Sequence, residues 1–112
     1  MALRIGESGK SLNVNAGFDM SSQTELTLTF TKPDGTTVSK ATADGVALGA
    51  GETDPDLGTL TANYYVYYPI EAGFLDTAGS WCVYLTYTNT ASNPDDVFIG
   101  APVSFTVSDV TC

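Results

Sequence analysis

No histidine occurs in this chain of 112 residues. That absence removes the side chain most used as base, proton shuttle or metal ligand near neutral pH. Cations are almost as scarce, four against thirteen acidic residues, for a net charge of −9. The four (Arg4, Lys10, Lys32 and Lys40) are scattered through the first forty residues and form no stripe. Phosphate neutralisation needs clustered Lys or Arg, so nucleic-acid binding is excluded as an expectation, and anionic membranes are repelled as well. No apolar run approaches the roughly 20 residues of a membrane helix. The opening Met1-Ala2-Leu3-Arg4-Ile5-Gly6 lacks the basic end and continuous apolar centre of a signal peptide, so synthesis in the cytoplasm is expected. Cysteine is limited to Cys82 and Cys112. A disulfide between them would tie the C-terminus to a strand. The alternative is a buried thiol and an incidental terminal one, which a reducing cytosol favours.

What is present is globular. Hydrophobic residues make up 43% of the chain and charged residues 15%, the reverse of a disordered composition. The length fits one domain, residues 1–112, large enough to fold without metal or disulfide staples. Threonine, valine, tyrosine and phenylalanine fill the apolar runs, as half-buried pleated surfaces require.

Period-two alternation dominates, and no helical periodicity of useful length occurs. Residues 2–5 and 11–14 read as short strands broken by Gly6 and Gly9. Residues 24–31 alternate with Leu26, Leu28 and Phe30 on one face. Lys32-Pro33-Asp34-Gly35 supplies a tight turn, because proline presets the first central position and glycine tolerates positive φ. Residues 36–41 return to complete a hairpin. Residues 43–58 read as a long acidic, glycine-rich connection with one short strand at 46–48. Residues 59–70 form one long strand ended by Pro69, residues 71–79 a crossover loop with room for a single helical turn, and residues 80–89 a strand carrying the only tryptophan. Residues 90–96 form a loop before a last strand at 97–107, bent near Gly100 and Pro102.

Seven or eight short strands with turn signals between them predict an all-β, immunoglobulin-like antiparallel β-sandwich, with a small barrel as the alternative. Trp81, Val83, Leu85 and Tyr87 share the inner face and are expected to meet Leu26, Leu28, Phe30 and Phe105.

Catalytic options are few, and neither an enzyme nor a cofactor is expected. Serine and cysteine nucleophiles have no imidazole to activate them, and neither cysteine has a nearby cation in sequence. Ser8-Gly9-Lys10-Ser11 imitates only the end of a phosphate loop, and a strand rather than a helix follows it. Glu52, Asp54 and Asp56 are spaced two apart and form a weak calcium candidate, which Asp95 and Asp96 could join. Calcium loops of the EF-hand type need glycine at the sixth position and glutamate at the twelfth, where Leu57 and Asn63 stand. A solvated acidic loop is the favoured reading, with no metal.

The aromatic run Tyr64-Tyr65-Val66-Tyr67-Tyr68 carries rings on both faces of its strand. If Tyr64, Val66 and Tyr68 fill the core, Tyr65 and Tyr67 point outward, and Tyr84 does the same from the tryptophan strand. Gathered outward tyrosines predict an interface of Tyr65, Tyr67 and Tyr84. Cross-strand stacking that only stabilises the sheet is the competing account.

Several segments together resemble a known family. They are Gly6-Glu7-Ser8-Gly9-Lys10, then Val14-Asn15-Ala16-Gly17-Phe18-Asp19-Met20-Ser21, and the run Leu28-Thr29-Phe30-Thr31-Lys32-Pro33-Asp34-Gly35-Thr36. Residues 54–63, Gly79-Ser80-Trp81 and the closing Gly100-x-x-Val103-x-Phe105-x-Val107 complete the set. The pattern is similar to small immunoglobulin-like structural proteins of tailed-phage virions, including the N-terminal domain of baseplate upper proteins. The resemblance spans nearly the whole chain, through turns and core positions. It implies a non-enzymatic virion component, assembled with other virion proteins into a multimeric particle. The expected place is the tail, baseplate or fibre attachment, with capsid decoration (cement) as the alternative. A host-surface adhesion or carbohydrate-binding module is the alternative of another class. In contrast to baseplate proteins, no further domain is expected within these 112 residues.

Overall fold

Alternating burial organises the chain into sheets. In β3 (Glu25–Thr31) the residues Leu26, Leu28 and Phe30 are buried and the threonines between them half-exposed. In β9 (Gly79–Asn89) Trp81, Val83, Leu85 and Tyr87 are buried in the same rhythm. The computed structural model describes residues 2–91 and 93–109. Its other strands are β1 (Ala2–Arg4), β2 (Ser11–Asn15), β4 (Thr37–Ala41), β5 (Ala47–Leu48), β6 (Glu52–Asp54), β7 (Gly58–Leu60), β8 (Tyr65–Pro69), β10 (Asp96–Ile99) and β11 (Val103–Ser108). A single 3-10 turn, Thr42–Asp44, follows β4. The fold is all-β. Among the described residues no helix is long and apolar enough to cross a membrane.

The largest sheet has six strands in the order β1-β11-β9-β3-β4, with β10 also paired to β9. It is mixed, since β1 runs parallel to β11 while every other pairing is antiparallel. β9 is its long central strand. β3 takes one edge of β9, while β10 and β11 take successive parts of the other. β10 and β11 are the expected last strand, broken at residues 100–102 where the Gly100 N–H donates to the Leu85 carbonyl at 2.8 Å. A second sheet has the order β2-β8-β5, and β6 and β7 form a separate hairpin.

Both larger sheets feed one core cluster, which holds Leu12, Val14, Val66 and Tyr68 from the smaller sheet with Leu28, Phe30, Trp81 and Phe105 from the larger. Phe30 and Tyr68 meet across them at 5.9 Å, and Phe74 joins both. Burying each large apolar side chain contributes about 1.5–3 kcal/mol, so this layer dominates stability. The Trp81 indole N–H donates to the Thr77 carbonyl at 2.8 Å, which satisfies the one polar group of a fully buried ring.

The hairpin turn after β3 forms as expected, with Gly35 at φ 88° and the Lys32 N–H bonded to the Thr36 carbonyl at 2.8 Å. Three expectations need correction. The long strand at 59–70 is two strands, β7 and β8, separated by a turn. Asn63 adopts φ 66° there, a left-handed conformation that asparagine tolerates better than most residues. The connection at 43–58 holds its one expected short strand as β5, but also β6, the first residue of β7 and most of the 3-10 turn. With the last strand also broken into β10 and β11, eleven strands are described rather than seven or eight. The crossover 71–78 contains a turn closed by the Phe74 N–H on the Glu71 carbonyl and carries buried Phe74 and Leu75 between the sheets.

Candidate docking face

The three tyrosines expected to form one interface do not come together. β8 and β9 are consecutive in sequence, but the crossover places them in different sheets. Tyr67 and Tyr84 each face away from the shared core, on their own sheet, and both are half-buried. Tyr65 is no surface residue at all, with 2% exposure. It points to the same side of β8 as Tyr67, but residues 49–52 fold over it. Its hydroxyl accepts from the Gly51 N–H at 3.1 Å and donates to Glu52 at 3.4 Å. Tyr64, expected inside, precedes the strand and is exposed.

The acidic candidates also separate. Asp54 is buried, and its carboxylate is fully engaged. Oδ2 accepts from Asn13 Nδ2 at 2.8 Å, and Oδ1 accepts from the N–H groups of Asp56 and Leu57 at 2.7 and 3.0 Å. Burial alone would raise its pKa, but these three donors outweigh it and hold the carboxyl below the ordinary range. The carboxylate therefore caps the β6–β7 turn and ties the hairpin to β2. Among the described residues no group of three or more His, Cys, Asp or Glu side chains could hold a metal ion, so Glu52, Asp54 and Asp56 do not assemble with Asp95 and Asp96. Cys82 is half-buried on the outward side of β9. Its suggested disulfide partner Cys112 lies outside the described residues.

A cleft of 60 Å³ opens between Leu12, Asn13, Leu57, Val103 and Phe105. Small-molecule pockets measure roughly 300–1,000 Å³, so this one admits no more than a side chain or a water or two.

The lysines are engaged elsewhere. Lys32 bonds both Asp76 oxygens, at 2.9 and 3.0 Å, and lies over the Trp81 ring at 5.6 Å. Lys40 bonds Glu71 at 2.7 Å and lies over Phe74 at 5.5 Å. Both pin the crossover to the β3–β4 hairpin. The Lys40 bond, joined by the Tyr68 hydroxyl, lowers the Glu71 pKa, and Glu71 in turn raises that of Lys40. Lys10 pairs with Glu7.

What stands out is the outward face of the six-stranded sheet. Cross-strand register sets Ala41, Thr27, Thr86 and Ile99 in one row, then Ser39, Thr29 and Tyr84, then Thr37, Thr31, Cys82 and Ser104. All three rows are uncharged, in a protein of net charge −9. Glu25, at one end, is turned to other work. Its Oε1 accepts from the Thr42 hydroxyl at 2.7 Å and from the Thr42 and Leu26 N–H groups at 3.1 Å, and these bonds lower its pKa. A neutral, gently pleated surface of threonine with one tyrosine is suited to contact with another protein, because little desolvation of charge opposes it. Only Tyr84 of this face was foreseen as an interface residue. The signal for the rest is threonine at alternate positions of 25–31 and 82–88, opposite the apolar positions. No protein-family model, curated protein or solved structure matches this chain.

Proposed function

We propose that this chain is a non-enzymatic docking domain of a bacteriophage particle, built as an immunoglobulin-like β-sandwich and held among other virion proteins in the tail, baseplate or fibre attachment. The observation that carries the docking role is the uncharged face of Thr27, Thr29, Tyr84, Thr86 and Ile99 on an otherwise acidic protein. The virion setting rests on the sequence resemblance.

Strand order supports the sandwich. β11-β9-β3-β4 follows the order of the GFC sheet extended by C′, and β2-β8-β5 follows that of B, E and D. The parallel pairing of β1 with β11 suits a short first strand that crosses to the opposite sheet. One departure is that the core tryptophan lies on β9, in the place of strand F, whereas antibody domains carry theirs on strand C. The β6–β7 hairpin is an addition to that plan.

The direct test is cryo-electron microscopy of purified phage particles, with the chain sought in the density. Ordered copies on the tail or baseplate, seated through the threonine face, are the expected result. Copies on the shell instead would move the role to capsid decoration. Particles without the chain would overturn the virion reading, and the adhesion module would take its place. Thr86→Lys puts a charge in the middle of the face and should block incorporation while the isolated domain stays folded.

A further inference from the structure

The six-stranded sheet ends differently on its two sides. On one side β4 presents the exposed polar residues Thr37 and Ser39 and no exposed large apolar side chain, as is usual for a free strand edge. On the other side β10 presents Val97 and Ile99, which are 54% and 66% exposed. β1 covers this side only opposite Thr106, Val107 and Ser108. Among the described residues no strand pairs with the outer edge of β10.

The backbone of β10 is oriented to accept a strand. In an antiparallel ladder, residues alternate between those bonded to the partner and those whose N–H and C=O face away. Gly100 bonds to Leu85, and Phe98 stands opposite Tyr87 two positions earlier, so Gly100 and Phe98 face β9. Val97 and Ile99 therefore turn their N–H and C=O groups outward. The same two residues carry the exposed apolar side chains; Ile99 continues the uncharged row of Thr27 and Thr86, while Val97 stands beside Thr88, whose row ends at Glu25.

We propose that β10 is the site where an extended, basic segment of a partner protein adds a strand to the sheet. This rests on the docking reading above and adds the partner's chemistry. Main-chain bonds to Val97 and Ile99 would supply affinity, and alternate apolar side chains would cover those two residues. Charge selects the partner. Asp95 and Asp96 lie at the start of β10, and no lysine or arginine occurs after Lys40. A second copy pairing through the same edge would bring another chain of net charge −9 to the interface, and the like net charges repel. An incoming strand with Lys or Arg at its ends meets the opposite sign.

The test is amide exchange by NMR on the full chain with two synthetic probes, a heptapeptide alternating lysine and valine and its counterpart alternating glutamate and valine. The lysine peptide should slow exchange at the Val97 and Ile99 amides by roughly tenfold or more, with little change at Phe98, already bonded to β9. A roughly tenfold rise in salt should weaken the effect. The glutamate peptide should do nothing. Val97→Lys, which keeps the backbone and adds an edge guard, should abolish the protection. Val97→Pro should do the same by removing the outward N–H. No slowing with the lysine peptide, or equal slowing with both peptides, would overturn the proposal. So would protection that rises with protein concentration alone, since the occupant would then be a second copy. If the peptide fails while particles still contain the chain, only the edge assignment is lost. If the peptide binds but particles lack the chain, the virion reading is lost and the edge stands.

Discussion

Asn13 and Asp54, forty-one positions apart, are joined by a 2.8 Å hydrogen bond that fastens the β6–β7 hairpin to β2. The same carboxylate caps two N–H groups in the hairpin's own turn. Removing it leaves three donors without this acceptor at a partly buried place. Asp54→Ala should therefore cost about 1–3 kcal/mol, and Asn13→Ala less, because it removes one of the three bonds. Urea denaturation checks both. An Asp54→Ala loss within error of wild type would mean that solvent replaces the carboxylate.

Tyr65 and Gly49 define a second close contact. A methyl group on Gly49 would overlap the Tyr65 ring, and the Gly49 N–H is bonded to the Tyr65 carbonyl at 3.0 Å. Gly49→Ala should destabilise by about 1–3 kcal/mol through forced displacement of the ring or backbone.

Among the tyrosines, stability and docking should separate. Tyr65→Ala removes a buried ring and should cost about 3–5 kcal/mol. Tyr84→Ala is expected to lose under about 1 kcal/mol, because the ring faces away from the core, and to show its effect in association instead. Thermal unfolding of the two variants checks this, and equal losses would contradict the assignment of sides.

Stability should decline at both extremes of pH. The carboxyls of Asp54, Glu25, Glu71 and Asp76 all have lowered pKa values in the folded chain. A lowered pKa gives stability that is complete above the unfolded value, 3.8 for Asp and 4.5 for Glu, and is lost as pH falls through the folded one. At the alkaline end Lys40 is raised by its Glu71 bond and Tyr68 by burial. Their contribution is complete below the unfolded values of 10.5 and 10.0 and is lost as pH rises above them. Denaturant midpoints across pH should thus be flat from about 5 to 9 and fall on either side. Asp54→Asn should soften the acid limb.

Lys32 should matter more than Lys10. Its ammonium is mostly buried, sits over Trp81 and holds the crossover through Asp76. Lys32→Ala is expected to cost about 1 kcal/mol, while Lys10→Ala, an exposed pair with Glu7, should be near neutral. Equal effects would mean that the stacking over the indole contributes nothing.

Much of this was legible in the chain itself. Alternation at Leu26, Leu28 and Phe30 and at Trp81, Val83, Leu85 and Tyr87 determined both the strands and their buried faces, because period two maps directly onto the two sides of a sheet. Pro33-Asp34-Gly35 determined its turn through local backbone preference. The absence of histidine and the scarcity of cations shaped what chemistry could be expected. The β6–β7 hairpin went unread, although the turn residues of Asp54-Pro55-Asp56-Leu57-Gly58 are its signal, because its strands are three residues each and carry no alternation.

Tertiary structure alone decided which faces are free. Parity put Tyr65 on the outer side of its strand, and that was correct, but parity cannot foresee a distant segment such as 49–52 folding over it. Nor could sequence order show that β8 and β9 lie in different sheets, which separates Tyr67 from Tyr84. Local rules act over two to four residues. The neutral threonine face and the open edge at Val97 and Ile99 arise from pairings between residues tens of positions apart, and only the assembled sheet brings them side by side.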